Sequence, residues 1–422
     1  MSEKMMKKSR VLLAALFGMV AIAALTLWGC GGSSYDNPAT GVTTTKTATA
    51  LVSPADLKQW MDQGLVNKQG GYDRVVVLEV SSKPLNYASE HIPGAIFVNL
   101  SELTATRVEG PAEFGSMVAT GAQMDALIKK AGIDENTTIV FTTSSGEMNS
   151  NALWYLTRGY TTFRYWGFPK ERLKVLDGGN LAWVAAAGTM TSAVPAITTS
   201  SYGIAPNGAN RVRQELRASL SEMMDAVTAN SKDFIDGRGS IAGGTTDLIV
   251  TATPVPFVVF EGRLSGTNSR ILPYTNLVDA TTKQFKSVLD VQTLLDIKSD
   301  TAYTLCRAGN IASVLFFAVD GYAYSDGTKK AVWYDGSWGQ WGLMADLNNG
   351  GKLPAGSAWS TIALTSGYSD NATAGRTVVD ISNRLLSPHP AFPANPIEEA
   401  DKAYLSPLVP TSGGSSGGGG GC

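Results

Sequence analysis

The chain reads Thr304-Leu305-Cys306-Arg307-Ala308-Gly309-Asn310-Ile311-Ala312-Ser313 directly before the apolar run Val314–Val319. The pattern predicts a buried strand, a tight loop that contains a glycine, and a helix. Backbone N–H groups and the helix dipole converge on a cysteine in such a loop, and this environment favours the thiolate over the thiol. We therefore expect Cys306 to be reactive, although the commonest free cysteine is a buried and inert thiol.

Two kinds of cysteine chemistry use a loop of this type, and the position of the arginine distinguishes them. A cysteine-dependent phosphatase needs an arginine at the far end of a slightly longer loop, where it clamps the phosphate with two hydrogen bonds. Here that end holds Ile311, Ala312 and Ser313, and the arginine directly follows the cysteine instead. With Asp335-Gly336-Ser337-Trp338 further on, the loop resembles the active-site loop of the rhodanese sulfurtransferases.

The resemblance implies a sulfurtransferase in which Cys306 carries sulfur as a persulfide. Its thiolate would attack the outer sulfur of an anionic donor such as thiosulfate, sulfite would leave, and a thiol or cyanide-like acceptor would then take the sulfur. Loop N–H groups would stabilise the persulfide anion, as an oxyanion hole does. The implied substrate-binding residues are Arg307, Ala308, Gly309, Asn310, Ile311 and Ala312 of the loop, and Arg238, which ends an Asp-x-Arg segment.

The charge of the loop bears on the identity of the donor. The thiosulfate-type loop of the family carries a second basic residue after the arginine, whereas this chain has Ala308 there. The mercaptopyruvate-type loop lacks the arginine altogether. The loop therefore lies between the two types and is nearer to the thiosulfate type.

The histidines and cysteines limit the chemistry that the chain can perform. His91, His389, Cys30, Cys306 and Cys422 are spread across 422 residues. A haem attachment, a zinc-binding cysteine pair or a histidine-based triad cannot be assembled from this set in one chain, so we expect no metal and no cofactor. The net charge of −2, without a basic cluster beyond the N-terminus, does not indicate nucleic-acid binding.

The N-terminus has the layout of an export signal. Four basic residues precede the uncharged apolar run Val11–Leu27, and Leu27-Trp28-Gly29-Cys30 resembles the bacterial lipoprotein cleavage box. The alternative is an uncleaved membrane anchor, since about 17 apolar residues is at the short end for a spanning helix. We expect residues 1–29 to be a signal peptide and Cys30 to be lipidated. The folded part would then be extracytoplasmic and anchored to a bacterial membrane, the outer one by expectation, on its periplasmic or cell-surface side.

The body of the chain is expected to be α/β, with two rhodanese-like domains whose sheets are mainly parallel, five-stranded and flanked by helices. Residues 30–50 read as a flexible tether. The first domain, residues 51–192, has family-like motifs at residues 90–96 and 175–183, but the loop after Phe141 contains no cysteine, which predicts a catalytically silent domain. The lone His91 is expected to be structural.

A linker at residues 193–215 precedes the second domain, residues 216–367. This copy repeats the outline of the first but has Gly262-Arg263-Leu264-Ser265-Gly266 where the first has His91-Ile92-Pro93-Gly94. The Cys306 loop is expected to face the boundary between the domains, because ligands bind outside the carboxyl ends of parallel strands. Residues 368–422 form a tail with a glycine-serine arm that ends in Cys422.

Three functional alternatives remain open. The first is the sulfurtransferase, and the second is an extracytoplasmic carrier of sulfur or selenium, or an accessory protein of selenite or tellurite reduction, with little turnover of its own. The third is an interaction module in which both domains are silent. Cys422 is either a conjugation handle or incidental tail, or a thiol that relays sulfur from Cys306 to a redox partner protein.

Overall fold

The computed structural model describes residues 45–109, 112–204, 212–229, 231–238, 269–337, 339–340 and 395–406. The predictions for the signal peptide, Cys30, most of the tether, Gly262–Gly266, Trp338 and Cys422 lie outside these residues. All described residues belong to one compact unit that begins at Thr43. None of the helices in the described ranges is long and apolar enough to cross a membrane. The predicted domain boundaries stay predictions.

Residues 45–204, called the first half here, contain a parallel sheet of five strands. Its strands are β1 (Leu51–Val52), β2 (Arg74–Ser81), β3 (Ile96–Asn99), β6 (Thr137–Thr142) and β7 (Leu173–Leu176), in the order β1-β7-β6-β2-β3. The run Arg-Val-Val-Val-Leu-Glu-Val-Ser of β2 is buried along its whole length. A strand covered on both faces reads as a continuous apolar run rather than an alternating one, which is why this element was visible in the sequence.

The first half also contains an antiparallel hairpin and six helices among its described residues. The hairpin pairs β4 (Thr104–Glu109) with β5 (Ala112–Val118). The helices are α1 (Pro54–Asp62), α2 (Pro84–Ser89), α3 (Gly121–Lys130), α4 (Ser145–Asn149), α5 (Trp154–Tyr165) and α6 (Gly179–Ala185). Helix α1 begins with signals that its local sequence carries, since Ser53 and Asp56 form a capping box and Pro54 occupies the first turn.

Residues 212–340, the second half, repeat the strand order of the first. The strands β8 (Asp233–Asp236), β9 (Ser269–Ile271), β10 (Thr301–Leu305) and β11 (Lys330–Trp333) form a parallel sheet in the order β11-β10-β8-β9. A single-residue parallel bridge from Arg217 to Trp333 extends this sheet at the edge where β1 extends the first. The predicted α/β fold class, with parallel sheets flanked by helices, is confirmed. The second sheet has four strands in the described residues instead of the predicted five.

The helices of the second half are short. They are α7 (Leu220–Ala229), α8 (Val288–Leu295) and α9 (Ala312–Phe317), and α10 (Pro396–Leu405) follows later in the chain. The predicted helix after the Cys306 loop is a six-residue α-helix that continues as a π-helix over Ala318–Ala323. A π-turn widens the helix by one residue per turn, and such segments occur frequently near functional sites.

One hydrophobic core cluster includes residues of both sheets. Helices α5 and α9 meet in it, and the ring of Tyr160 contacts that of Phe317 edge to face at 5.0 Å. Gly159 lets α5 approach β6 closely, because a Cβ at that position would lie 2.3 Å from the Phe141 ring. The first half therefore packs directly behind the segment that carries Cys306.

Candidate active site

Cys306 directly follows β10, which is an inner strand of the second sheet with β8 on one side and β11 on the other. The cysteine leaves the sheet at the carboxyl ends of its parallel strands, where ligands bind in open α/β sheets. Its side chain is 2% exposed. The sequence placed Cys306 correctly at the end of a buried strand.

Several donors surround the Cys306 sulfur. The backbone N–H groups of Ala308 and Ala312 donate to it, as the predicted loop requires. The Ser337 hydroxyl lies 3.9 Å from the sulfur and accepts a hydrogen bond of 3.0 Å from the Cys306 N–H. Burial nevertheless raises the pKa of the Cys306 thiol, and the nearby Asp236 carboxylate adds to the rise. The structure thus differs from the expectation of a readily formed thiolate, because desolvation of the charged form outweighs the donors.

Three carbonyls of the loop accept hydrogen bonds from groups other than the Cys306 thiol. The Trp333 indole N–H donates to the Gly309 carbonyl at 2.9 Å, and the Gly339 N–H donates to the Arg307 carbonyl at 2.8 Å. The Ser313 hydroxyl donates to the Asn310 carbonyl at 2.6 Å. These bonds hold the backbone of the loop in place, and the Ala308 and Ala312 N–H groups donate to the sulfur.

Gly309 determines the backbone conformation of the loop. Its φ of +77° lies in the left-handed region, which favours glycine. A Cβ at this position would also lie 2.6 Å from the carbonyl oxygen of Asp335. The loop therefore lies directly against the segment after β11, and the predicted glycine is needed for both backbone conformation and space.

The two arginines that the resemblance assigned to the substrate have different surroundings. Arg307 is half-buried, and its side chain forms no hydrogen bond or ion pair with the described residues. Arg238 is 3% exposed, and its Nε lies 2.9 Å from both carboxylate oxygens of Asp236. Asp236 is paired in register with Leu305, so this ion pair lies beside the strand end that carries Cys306. Arg238 pairs with Asp236 there, whereas no described residue forms an ion pair with Arg307.

A buried cluster of charges behind the loop was not predicted from the sequence. Arg217 lies 2.9 Å from an oxygen of Asp335 and 3.1 Å from one of Glu109, and it also pairs with Glu398. The Val118 N–H donates to Asp335 at 2.9 Å. All four charged side chains are 0–2% exposed. No sequence pattern joins these residues, which lie far apart along the chain.

The equivalent loop of the first half follows β6 and carries hydroxyl groups. The Thr143 hydroxyl donates to the Val80 carbonyl at 2.7 Å, and Ser144 caps α4. A cavity of about 130 Å³ lies here, and Asn180 is among its lining residues. A hydroxyl cannot hold transferable sulfur, so this loop cannot perform the chemistry expected of Cys306.

His91 is fully buried in the first half. Its Nδ1 lies 2.7 Å from the Tyr87 carbonyl and its Nε2 lies 3.1 Å from the Ala193 carbonyl. Its ring stacks on the Tyr87 ring at 3.9 Å. These contacts give both ring nitrogens a structural partner. In the part of the chain that the structure describes, no group of three or more His, Cys, Asp or Glu side chains is placed to hold a metal ion.

Residues 53–186 match the family model of the rhodanese-like domain. This range contains α1, the first sheet from β2 onwards, and the loop that lacks a cysteine. The first half is therefore similar to the rhodanese-like domain, which is the family that its motifs resemble.

Curated relatives align with a larger part of the chain. A putative thiosulfate sulfurtransferase, SseA, of Mycobacterium leprae is 26% identical over 277 residues, which are 64% of this chain and 84% of that protein. The sulfur carrier protein TtuD of Thermus thermophilus is 24% identical over 286 residues, which are 65% of this chain and 90% of that protein. Both the enzyme and the carrier alternatives thus have a named relative.

Two solved structures show the same fold. Tum1 of Saccharomyces cerevisiae superposes with a TM-score of 0.51 at 17% identity, and the match covers 75% of this chain and 99% of that one. The anaerobic ergothioneine biosynthesis enzyme of Chlorobium limicola, bound to trimethyl histidine, gives a TM-score of 0.50 at 18% identity, covering 72% of this chain and 71% of that one. The likeness at these identities is one of fold.

Proposed function

We propose that this protein is a sulfurtransferase of the rhodanese type that moves sulfane sulfur from an anionic donor such as thiosulfate to a thiophilic acceptor through a persulfide on Cys306. The observation that carries the proposal is the loop geometry. Cys306 lies at a strand end with two backbone N–H groups donating to its sulfur, while the carbonyls of Arg307, Gly309 and Asn310 accept hydrogen bonds from other groups. Relatives with sulfurtransferase names support the same reaction class.

The reaction is a double displacement. The Cys306 thiolate attacks the outer sulfur of thiosulfate, a sulfur–sulfur bond forms on the enzyme, the donor's own sulfur–sulfur bond breaks, and sulfite leaves with the electron pair. A thiolate or cyanide acceptor then attacks the outer sulfur of the persulfide, and Cys306 leaves as the thiolate. The enzyme returns to its starting state without an external oxidant or reductant.

The residues of the loop have distinct parts in this proposal. The N–H groups of Ala308 and Ala312 stabilise negative charge on the sulfur as an oxyanion hole does. The half-buried Arg307 supplies positive charge for the anionic donor, since no described residue engages its side chain. Arg238 has a supporting part, because its charge is held by Asp236.

Intact-mass measurement after thiosulfate treatment tests the proposal. We expect the gain of one sulfur atom, mapped by peptide analysis to Cys306, together with release of sulfite. Cys306→Ser should show neither, with an unchanged circular dichroism spectrum, because serine has nearly the volume of cysteine but is a poor nucleophile toward sulfur. Sulfite release at the wild-type rate from Cys306→Ser would refute the role of Cys306.

The carrier is the second candidate, and the sulfur carrier relative supports it. The nearly complete burial of Cys306 favours the enzyme with a small acceptor instead, because it limits the access of a partner protein to the sulfur. A carrier would load one sulfur or selenium in a single turnover and release it only to a partner protein, whereas an enzyme transfers sulfur repeatedly to cyanide. Steady thiocyanate production therefore distinguishes the two.

Membrane anchoring and the terminal thiol complete the proposal. Lipidation at Cys30 would hold the enzyme on the extracytoplasmic side of a bacterial membrane, and metabolic labelling with a fatty acid should label the wild type but not Cys30→Ser.

A relay through Cys422 would leave thiosulfate-to-cyanide transfer unchanged in Cys422→Ser but reduce transfer to the natural acceptor. Labelled sulfur that never reaches the C-terminal peptide would contradict the relay.

A further inference from the structure

Helix α5 of the half without a catalytic cysteine reaches the Cys306 loop through Thr157 and Arg158. The Arg158 Nη1 donates to the Asn310 side-chain oxygen at 3.0 Å, and Asn310 is a member of the loop. The Thr157 hydroxyl lies 2.8 Å from that of Ser313, the side chain that binds the Asn310 carbonyl. Helix α5 therefore holds the Asn310 side chain directly, through Arg158, and the Asn310 carbonyl indirectly, through Thr157 and Ser313.

The remaining contacts of Arg158 are with neutral groups. Its Nη2 donates to the carbonyls of Ser116 and Met117 at 2.8 and 2.9 Å, and its guanidinium lies over the Trp333 ring at 4.4 Å. The side chain is 0% exposed, and no carboxylate of the described residues forms an ion pair with it. Its positive charge is thus buried without a formal counterion, which is costly unless an anion lies nearby.

Two negative charges of the active site act on Arg158, whose hydrogen bond to Asn310 places it against the Cys306 loop. Burial lowers the pKa of Arg158 to about 10, while the negative charges of Asp335 and of the Cys306 thiolate act in the opposite direction. Asp335 already faces Arg217 at 2.9 Å. A sulfur anion that forms at Cys306 therefore adds to Asp335 a second negative charge that acts on Arg158.

We propose that Arg158 is a positioning residue of the Cys306 site, which holds Asn310 in the loop and whose buried charge stabilises the anionic forms of the Cys306 sulfur. The first half, which lacks the cysteine, then supplies a positive charge to the active site in addition to packing against it. This inference rests on the proposed function for its kinetic readout, but its charge readout needs no sulfur donor.

The charge readout is the pH dependence of Cys306 alkylation by iodoacetamide, followed on the Cys306 peptide by mass spectrometry. Other charged and titratable groups face the site from its neighbouring elements and stay unchanged in every variant. They are Asp236 at the end of β8, Arg238 after β8, Tyr274, Asp335 after β11, Arg217, and Arg307 in the loop. Arg158→Met should shift the alkylation profile upward by about one pH unit, because an opposite charge near a titrating group is lost. Arg158→Lys should stay near the wild-type profile, since it keeps the charge.

The geometry readout is the rate of persulfide loading from thiosulfate. Both Arg158→Met and Arg158→Lys should load about tenfold more slowly or worse, because neither side chain can bind Asn310 and the two carbonyls at once. The matched control is Arg164→Met on the same helix. Arg164 is also buried, but its charge is paired with Asp320 at 2.9 Å, so this variant should keep the wild-type alkylation profile.

Wild-type alkylation and loading in Arg158→Met would overturn the inference, as would the same profile shift in Arg164→Met. If Arg158→Met does not fold, Asn310→Ala removes the contact from the loop side, where the residue is only half-buried. Asn310→Ala should slow loading while leaving the alkylation profile unchanged, and normal loading in it would refute the positioning role. If even the wild type fails to load sulfur, the proposed function fails, while the alkylation profiles still decide the charge role of Arg158.

Discussion

At the scale of single residues, the environment of Cys306 has two opposing effects on its thiol, protection by burial and activation by hydrogen-bond donors. A thiol with 2% exposure is protected from solvent and from adventitious oxidants, but the same burial raises its pKa. The Ala308 and Ala312 N–H groups and the Ser337 hydroxyl oppose this rise without cancelling it. The free site therefore holds the thiol, and the thiolate forms at a cost that local donors reduce.

The pH dependence of sulfur loading follows from this balance. Because the thiolate is the nucleophile and burial raises the pKa of Cys306, the loading rate should rise with pH and should still be rising above the ordinary pKa of a cysteine thiol. Stopped-flow measurement of sulfite release between about pH 6 and 10 tests this. A rate that is already level at neutral pH would show that donor binding or Arg158 lowers the pKa more than the free structure indicates.

Arg307 should affect the donor rather than the fold. Its side chain is half-buried and makes no hydrogen bond or ion pair with the described residues, so Arg307→Ala should change the free energy of unfolding by less than about 0.5 kcal/mol. Loss of the cation should raise KM for thiosulfate about tenfold or more, as expected for a lost charge-assisted contact. The measurement is steady-state kinetics with thiosulfate at two ionic strengths. An unchanged KM would assign donor binding to other residues.

At the scale of elements, the sequence identified what local pattern determines. The buried strands β2, β6 and β10, the start of α1 and the strand-loop-helix order around Cys306 depend on runs of apolar residues, caps and a glycine, all of which are visible locally. The hairpin of β4 and β5, the change from α9 to a π-helix and the approach of α5 to the loop depend on tertiary packing. Arg158 and Arg217 could not be assigned because their partners are far away in sequence.

Gly159 tests the close packing of α5 on β6. A Cβ there would lie 2.3 Å from the Phe141 ring, and both elements are buried, so Gly159→Ala should lower the free energy of unfolding by about 1–3 kcal/mol. The matched control is Gly146→Ala in α4, where the nearest atom to an added Cβ is 3.8 Å away. Urea titration of both variants checks the prediction. Equal stability of the two would mean that α5 can move without cost.

Glu79 tests how the first sheet depends on pH. It is 0% exposed in β2, the Asn180 side-chain N–H donates to it at 2.8 Å, and burial raises its pKa to about 7. The folded state therefore binds a proton more tightly than the unfolded state. Glu79 therefore contributes on the order of 3 kcal/mol to the free energy of unfolding below the pKa of a glutamate in the unfolded chain. This contribution is lost as the pH rises through about 7.

Glu79→Gln should remove this dependence, because the glutamine side-chain oxygen can still accept from Asn180 while the group no longer titrates. Urea unfolding at several pH values between about 4 and 8 should show a flatter stability curve than that of the wild type. Glu135→Gln replaces an exposed glutamate and serves as the control. Parallel curves for the wild type and Glu79→Gln would contradict the assignment.

At the scale of the whole molecule, Arg217 connects four separate parts of the chain. It extends the edge of the second sheet by its bridge to Trp333, and its guanidinium binds Glu109 of the hairpin, Asp335 beside the loop and Glu398 of α10. Three carboxylates around one cation leave excess negative charge, and burial raises the pKa of Glu109 accordingly. The charge of Arg217 therefore offsets part of the free-energy cost of burying these carboxylates.

Arg217→Met should be among the most damaging single changes outside the loop. Removing one partner of a buried charge cluster strands the others, and such losses cost about 3–5 kcal/mol in the free energy of unfolding. Arg213→Met is the control from the same segment, since its pair with Glu215 is partly exposed and should contribute less than about 1 kcal/mol. Because Asp335 lies against Gly309, Arg217→Met should also slow sulfur loading in the fraction of protein that remains folded. The loading rate is measured at a temperature below the unfolding transition of the variant. A variant that loses stability but loads at the wild-type rate would show that the cluster supports the fold without shaping the Cys306 loop.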